Sequence, residues 1–290
     1  RVLRLFKFLE HENSKTALII SNLTILLYLG FVGTLIINNN KQEITVNTVS
    51  NNFLLERENQ TKIALVMGNN DYTHVESLDN AINDAELINE TLESIDFKTI
   101  LKTNISSFKE FRDIMKDFRK QAKDYDIKLI YYSGHALQQD NENYLVPTDY
   151  KADDDSECVN DDDYGLYGIK EIVKNYSKMA DGANILILDA CREEMCRSRS
   201  IGSSGGLAKS NPPKGSFFAY STDYGEKASD GKGVNSEYST MLAKYLKQPN
   251  IRLSDIFQYI RTEMNMKKSR QLPVEENKLS EHVVLNITIE

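Results

Sequence analysis

The chain has 290 residues, 40% of them hydrophobic and 27% charged, with a formal net charge of -8. That is enough apolar content for one core of roughly 200 residues plus appendages, so the chain is not disordered, and an acidic balance without any dense basic stretch excludes nucleic acid as the main partner. Its three cysteines, Cys158, Cys191 and Cys196, are too few and too unevenly spaced for a disulfide framework, and no CxxC pair suggests zinc.

Residues 1–15 form a basic flank, and 16–37 run uncharged and almost wholly apolar. About 20 such residues span a bilayer as a helix, whereas a helix packed on a soluble body shows a polar face. A transmembrane helix is therefore expected at 16–37, with a buried core helix as the alternative. A cleaved signal peptide fits less well, because the run is long and no small-residue cleavage pattern follows it. Arg1, Arg4, Lys7 and Lys15 ahead of the span outnumber Lys41 just behind it. That bias implies a single-pass protein with the body outside the cytoplasm, although an earlier segment could reverse the orientation. Residues 38–60, rich in Asn, Thr and Glu, read as a juxtamembrane linker.

The body is expected at 61–290. It opens with a strand at 62–68 (KIALVMG), a loop NNDYTHVESLDN, and a helix whose apolar positions Leu78, Ile82, Ala85, Ile88, Leu92 and Ile95 keep helical spacing. A strand at 97–101 follows. Ser107 and Glu110 then make a capping-box start for a helix with Phe111, Ile114, Phe118 and Ala122 on one face. The mostly apolar run 127–132 ends in Ser133, Gly134 and His135. Next comes an acidic insert and a helix over 166–179. A second apolar run, 185–188, ends in Asp189, Ala190, Cys191 and Arg192. Beyond a Ser-, Gly- and Lys/Arg-rich stretch to Lys214 lie a strand at 216–221, helices near 236–247 and 254–266, and a closing β-branched strand at 282–289. Strands alternating with helices at this spacing imply an α/β fold with a largely parallel sheet covered on both faces.

In such sheets the ligand crevice lies outside the carboxyl ends of the strands. Two parallel strands ending in His135 and Cys191 can bring an imidazole beside a thiol, the constellation for nucleophilic catalysis on a carbonyl. A lone Cys or His is usually inert or structural, and Cys158, Cys196, His11, His74 and His282 sit in no comparable frame. The acids Asp153, Asp154, Asp155, Asp161, Asp162 and Asp163 have the oxygen chemistry for calcium but lack the spacing of an EF-hand, so a solvated acidic loop is the simpler reading. No cofactor is required and no metal site is expected.

The pairing YYSGHA with LILDACR, the opening KIALVMGNNDY with NAINDAEL, and the later FFAYSTDYGEKASDGKGVNSEYSTMLAKYL resemble the caspase-like cysteine peptidases, closest to their metacaspase and bacterial branches. The resemblance covers 61–290, and His135 precedes Cys191 by roughly the interval that caspases use. It implies a caspase-hemoglobinase fold, His135 as base, Cys191 as nucleophile, and an oxyanion hole made by the backbone N–H groups of Ala136 and Cys191. The QACRG signature reads DACRE here, which bears on specificity and on the loop after the nucleophile.

Caspases line the primary pocket with arginines and a glutamine and cleave after aspartate, whereas metacaspases line it with acids and cleave after arginine or lysine. Here the glutamine position is Asp189, a pocket arginine aligns with Asp230, Asp84 falls on a pocket aspartate, and Ser133 resembles a further pocket residue; ordinary caps or surface charges are the alternative. The resemblance thus implies protein or peptide substrates cut after basic residues. Arg192, Arg197, Arg199, Lys209 and Lys214 are candidates for self-cleavage, because exposed flexible loops are where nicking concentrates. A scaffold that has lost its chemistry, and another acyl-transfer enzyme on the same frame, are the competing readings.

Overall fold

The structure is a computed structural model that describes residues 50–139, 142–151, 165–179, 181–192, 208–222, 233–267, 269 and 271–289, excepting the side chains of Gln139, Cys191 and Arg192. The apolar runs become the centre of an eight-stranded sheet because apolar residues of each are buried on both faces. β1 (Lys62–Gly68) lies between β2 (Lys98–Thr103) and β3 (Ile127–Gln139). β3 pairs on its far side with β6 (Ala183–Arg192), β6 with β7 (Ser216–Tyr220), and β7 with β8 (Val274–Asn277). Along this path only β7 and β8 are antiparallel. At one end β4 (Glu142–Leu145) folds back on β3 and pairs with β5 (Tyr167–Gly168), so β3 runs well past the histidine at which its apolar pattern stops.

Among the described residues the helices are α1 (Asn51–Leu55), α2 (Ala81–Glu93), α3 (Phe108–Ala122), α4 (Ile169–Ser177), α5 (Glu237–Leu246) and α6 (Leu253–Met266). One face of the sheet is covered by α3 and α4, where Phe111, Phe118 and Tyr176 meet Leu65, Tyr132, Leu186 and Phe218. On the other face, the Tyr131 hydroxyl is 2.7 Å from Ser239 of α5, and the ring of Phe217 packs 5.0 Å from that of Phe257 in α6. α2 shares this second face and comes down onto the end of β1 because Gly68 has no side chain. A Cβ there would stand 2.6 Å from the Ala81 carbonyl oxygen and 2.7 Å from the Ala85 Cβ. The α/β architecture with a largely parallel, doubly covered sheet is the one that the sequence implies.

Three details differ from the sequence reading. The Ser107 hydroxyl does accept the Glu110 N–H, at 3.3 Å, but the Glu110 carboxylate reaches one residue further back, to the N–H of Ser106 at 2.8 Å. Within the expected linker, 51–57 pack onto the body: Leu54 is fully buried and Arg57 pairs with Glu281 at 2.5 Å. The closing segment 282–289 makes a single bridge, Val284 to Arg252, instead of a strand. Its backbone is used to cap α6, since the Leu253 N–H donates to the Val283 carbonyl at 2.7 Å while Val283, Val284 and Leu285 are buried. No helix among the described residues is long and apolar enough to cross a membrane, and the span expected at 16–37 lies outside them.

Candidate active site

The site is built by the parallel pairing of β3 and β6, whose register runs from Ile127↔Ala183 to Ala136↔Arg192. It sets Ser133 opposite Asp189 and His135 opposite Cys191. Backbones of neighbouring strands are about 4.8 Å apart, so the histidine and cysteine are brought together by the sheet itself, without a loop having to position either one.

His135 is fully buried and gripped from the loop after β1. Its Nε2 lies 2.7 Å from the Glu76 carbonyl oxygen, which can only accept, so Nε2 carries a proton, and in the neutral ring Nδ1 holds the lone pair. Nδ1 is buried and meets no hydrogen-bond partner among the described residues. The ring packs against Tyr72 with centroids 4.4 Å apart, and the Tyr72 hydroxyl accepts the His135 N–H at 2.8 Å. The His135 carbonyl in turn accepts the Tyr132 hydroxyl at 2.8 Å and the Val146 N–H at 3.1 Å. Gly134 makes this enclosure fit. At φ 154° a Cβ there would lie 2.6 Å from the Tyr132 hydroxyl and 2.9 Å from that of Tyr72. Ala136 stands between Leu145 and Arg192 in the sheet with its side chain buried.

Two carboxylates come together on the α2 and α5 side. Asp84, from the first turn of α2, accepts the Ser236 N–H at 2.9 Å and the Asn235 side-chain amide at 3.0 Å. Asp189, from β6, accepts the hydroxyls of Ser236 at 2.7 Å and Ser239 at 2.8 Å. Both acids are buried. Burial, with the Asp189 charge as a second cause, pushes the Asp84 carboxyl up to about 7, against the opposing pull of the Ser236 and Asn235 hydrogen bonds. Ser133 is buried beside Asp189 in the register.

Asp230, Arg197, Arg199 and the acids 153–155 and 161–163 lie outside the described residues. Among the described residues no group of His, Cys, Asp and Glu could hold a metal ion. Lys209 and Lys214 sit on tied backbone. The Asn143 side chain holds Ala208 through N–H and carbonyl, both at 2.6 Å, Glu276 accepts the Ser210 N–H at 2.9 Å, and Gly215 donates to the Lys278 carbonyl at 2.8 Å. Arg192 is the last residue of β6. Sequence reasoning missed Tyr72, the Glu76 carbonyl, Asn235 and Ser236. Tyr72 lies within the opening motif KIALVMGNNDY, and Ser236 could be read only as a helix cap. A carbonyl has no residue-type signature at all.

Residues 61–284 match the family described as caspase domain. Human mucosa-associated lymphoid tissue lymphoma translocation protein 1 is 25% identical over 136 residues, which is 46% of this chain and 15% of that protein. The crystal structure of caspase-1 from Spodoptera frugiperda is similar with a TM-score of 0.58 at 13% identity, covering 79% of this chain and 91% of that one.

Proposed function

The chain belongs to the caspase-domain family, and from that premise we propose that it is a cysteine endopeptidase in which His135 is the base, Cys191 the nucleophile, and Asp84 and Asp189 select arginine or lysine at the cleaved bond. The observation that carries the reading is the His135↔Cys191 register combined with the Nε2–Glu76 hydrogen bond. With its proton committed to the Glu76 carbonyl, the imidazole offers Nδ1 to take the thiol proton. The thiolate attacks the peptide carbonyl, the imidazolium returns the proton to the leaving amine, and water then hydrolyses the thioester. The N–H groups of Ala136 and Cys191 are proposed to hold the oxyanion, an interaction worth about 10²- to 10³-fold in rate per donor. No metal or cofactor enters these steps.

The basic specificity is supported by the two buried carboxylates, because a guanidinium or ammonium between them relieves their repulsion. Ser133 and Asp230 are proposed to line the same pocket. The uncharged run 16–37 supports attachment to a membrane through the amino-terminal segment.

Fluorogenic peptides ending in Arg, Lys or Asp before the scissile bond test the reading. Cleavage after Arg and Lys is expected from the wild type. Cys191→Ala and His135→Ala are each expected to lose about 10³-fold or more, since the two act as a unit. Retention of most activity by Cys191→Ala, or a preference for Asp, would overturn it.

A further inference from the structure

Asp84 and Asp189 come from different elements, and what joins them is a single residue at the start of a third. Ser236 is the N-cap of α5, with extended backbone at φ -61° and ψ 152°. Its hydroxyl accepts the Ser239 N–H at 3.0 Å, which turns the hydroxyl proton toward Asp189, 2.7 Å away. Its own N–H goes to Asp84 at 2.9 Å. The stretch that carries it is clamped to α2, since Asn83 donates to the Val234 carbonyl and Asn235 to Asp84, each at 3.0 Å. Beneath it, Ser239 donates to Asp189 at 2.8 Å, so the Tyr131 hydroxyl, 2.7 Å from Ser239, donates to it in turn. The hydroxyl protons of Tyr131, Ser239 and Ser236 thus all run toward Asp189, the first by way of Ser239.

We propose that Ser236 is the positioning residue of the specificity pocket, locking the two acids at one spacing and orientation and so making the pocket prefer arginine over lysine. This rests on the acidic pair being the substrate pocket. A guanidinium is a planar fork that needs its carboxylate partners correctly aimed, whereas an ammonium is a compact charge on a flexible stem that tolerates misalignment. Loosening the acids therefore costs arginine more than lysine. Helix capping alone makes a different prediction, because glycine at an N-cap costs a helix far less than alanine does.

The test is the Arg-to-Lys ratio of kcat/KM for wild type, Ser236→Gly, Ser236→Ala and Ser236→Thr, with thermal melts to check folding. Removing one hydrogen bond to a charged group predicts that both the Gly and Ala variants lower the ratio by about tenfold, mainly through KM, and that Thr restores it. On a Cys191→Ala background the same changes should weaken agmatine binding more than cadaverine binding. An unchanged ratio in Ser236→Gly, or a Thr variant that fails to restore it, overturns the inference while leaving the pocket reading intact. No cleavage after either base by the wild type, together with no agmatine binding by Cys191→Ala, overturns both.

Discussion

At Asp84 burial and a neighbouring negative charge oppose the hydrogen bonds from Ser236 and Asn235, and burial wins, which gives the residue two pH dependences of opposite sign. Its folded value of about 7 lies above the carboxyl's ordinary value of 3.8. The folded protein therefore binds more protons than the unfolded chain between these values, and stability falls as pH rises from about 4 through about 7. Thermal melts of wild type against Asp84→Asn should show that slope flattened in the variant. Function runs the other way. Below about 7 the proposed pocket is neutralised at Asp84, so KM for an arginine peptide should drop as pH rises from 6 to 8, and Asp84→Asn should remove the dependence. A second expectation concerns Gly134, where an added methyl must push the Tyr72 or Tyr132 hydroxyl aside. Gly134→Ala should cost about 1–3 kcal/mol in urea unfolding, as overpacked sites do, and lower kcat because the His135 backbone and ring share those tyrosines. The strand-end positions of His135, Asp189 and Cys191 were legible in the sequence because each follows an apolar run within three residues. Ser236 was not, since a serine before a helix is ordinary and only the tertiary fold reveals that its proton reaches Asp189.

Elements were legible to the extent that burial pattern and element type agree. The central strands are apolar runs buried on both faces, a pattern that sequence exposes directly. β8 reads VEEN and went unseen, because its inward-facing Glu276 is buried only by virtue of the Ser210 and Asn211 N–H groups and the Tyr220 hydroxyl that it accepts. The reverse error occurred at 282–289, where β-branched residues serve a helix cap, a use that propensity cannot distinguish from a strand. The anchoring of 208–211 by Asn143 and Glu276 has a consequence for self-cleavage. Proteases need a bond they can draw out into an extended form, and Lys209 is tied on both sides. Mass spectrometry of incubated wild type should find cuts after Arg197 or Arg199 before any after Lys209 or Lys214. Asn143→Ala should make Lys209 the first of the latter pair to be cut, and Cys191→Ala should remain whole.

At the scale of the molecule, the match to the caspase domain starts at residue 61, whereas the packing starts earlier. Leu54 is fully buried and Arg57 lies 4.0 Å from the centre of the Phe53 ring. A chain beginning at residue 61 should therefore be less stable in urea than one beginning at residue 50 by about 2–3 kcal/mol, chiefly through the lost burial of Leu54, because the Arg57–Glu281 pair, whose glutamate is exposed, adds little. The uncharged run 16–37 carries its own expectation, that the full chain stays with the membrane pellet after an alkaline wash and the chain from residue 50 does not. The strand order also bears on synthesis. A chain made from its amino end exposes His135 first, then Cys191, and only afterwards Ser236, which closes the acidic pair. At about 5–20 residues per second the last interval is a few seconds. For that time the proposed base and nucleophile have both been made while the residue that joins the two proposed pocket acids has not, so on this reading selectivity is the last property that translation confers.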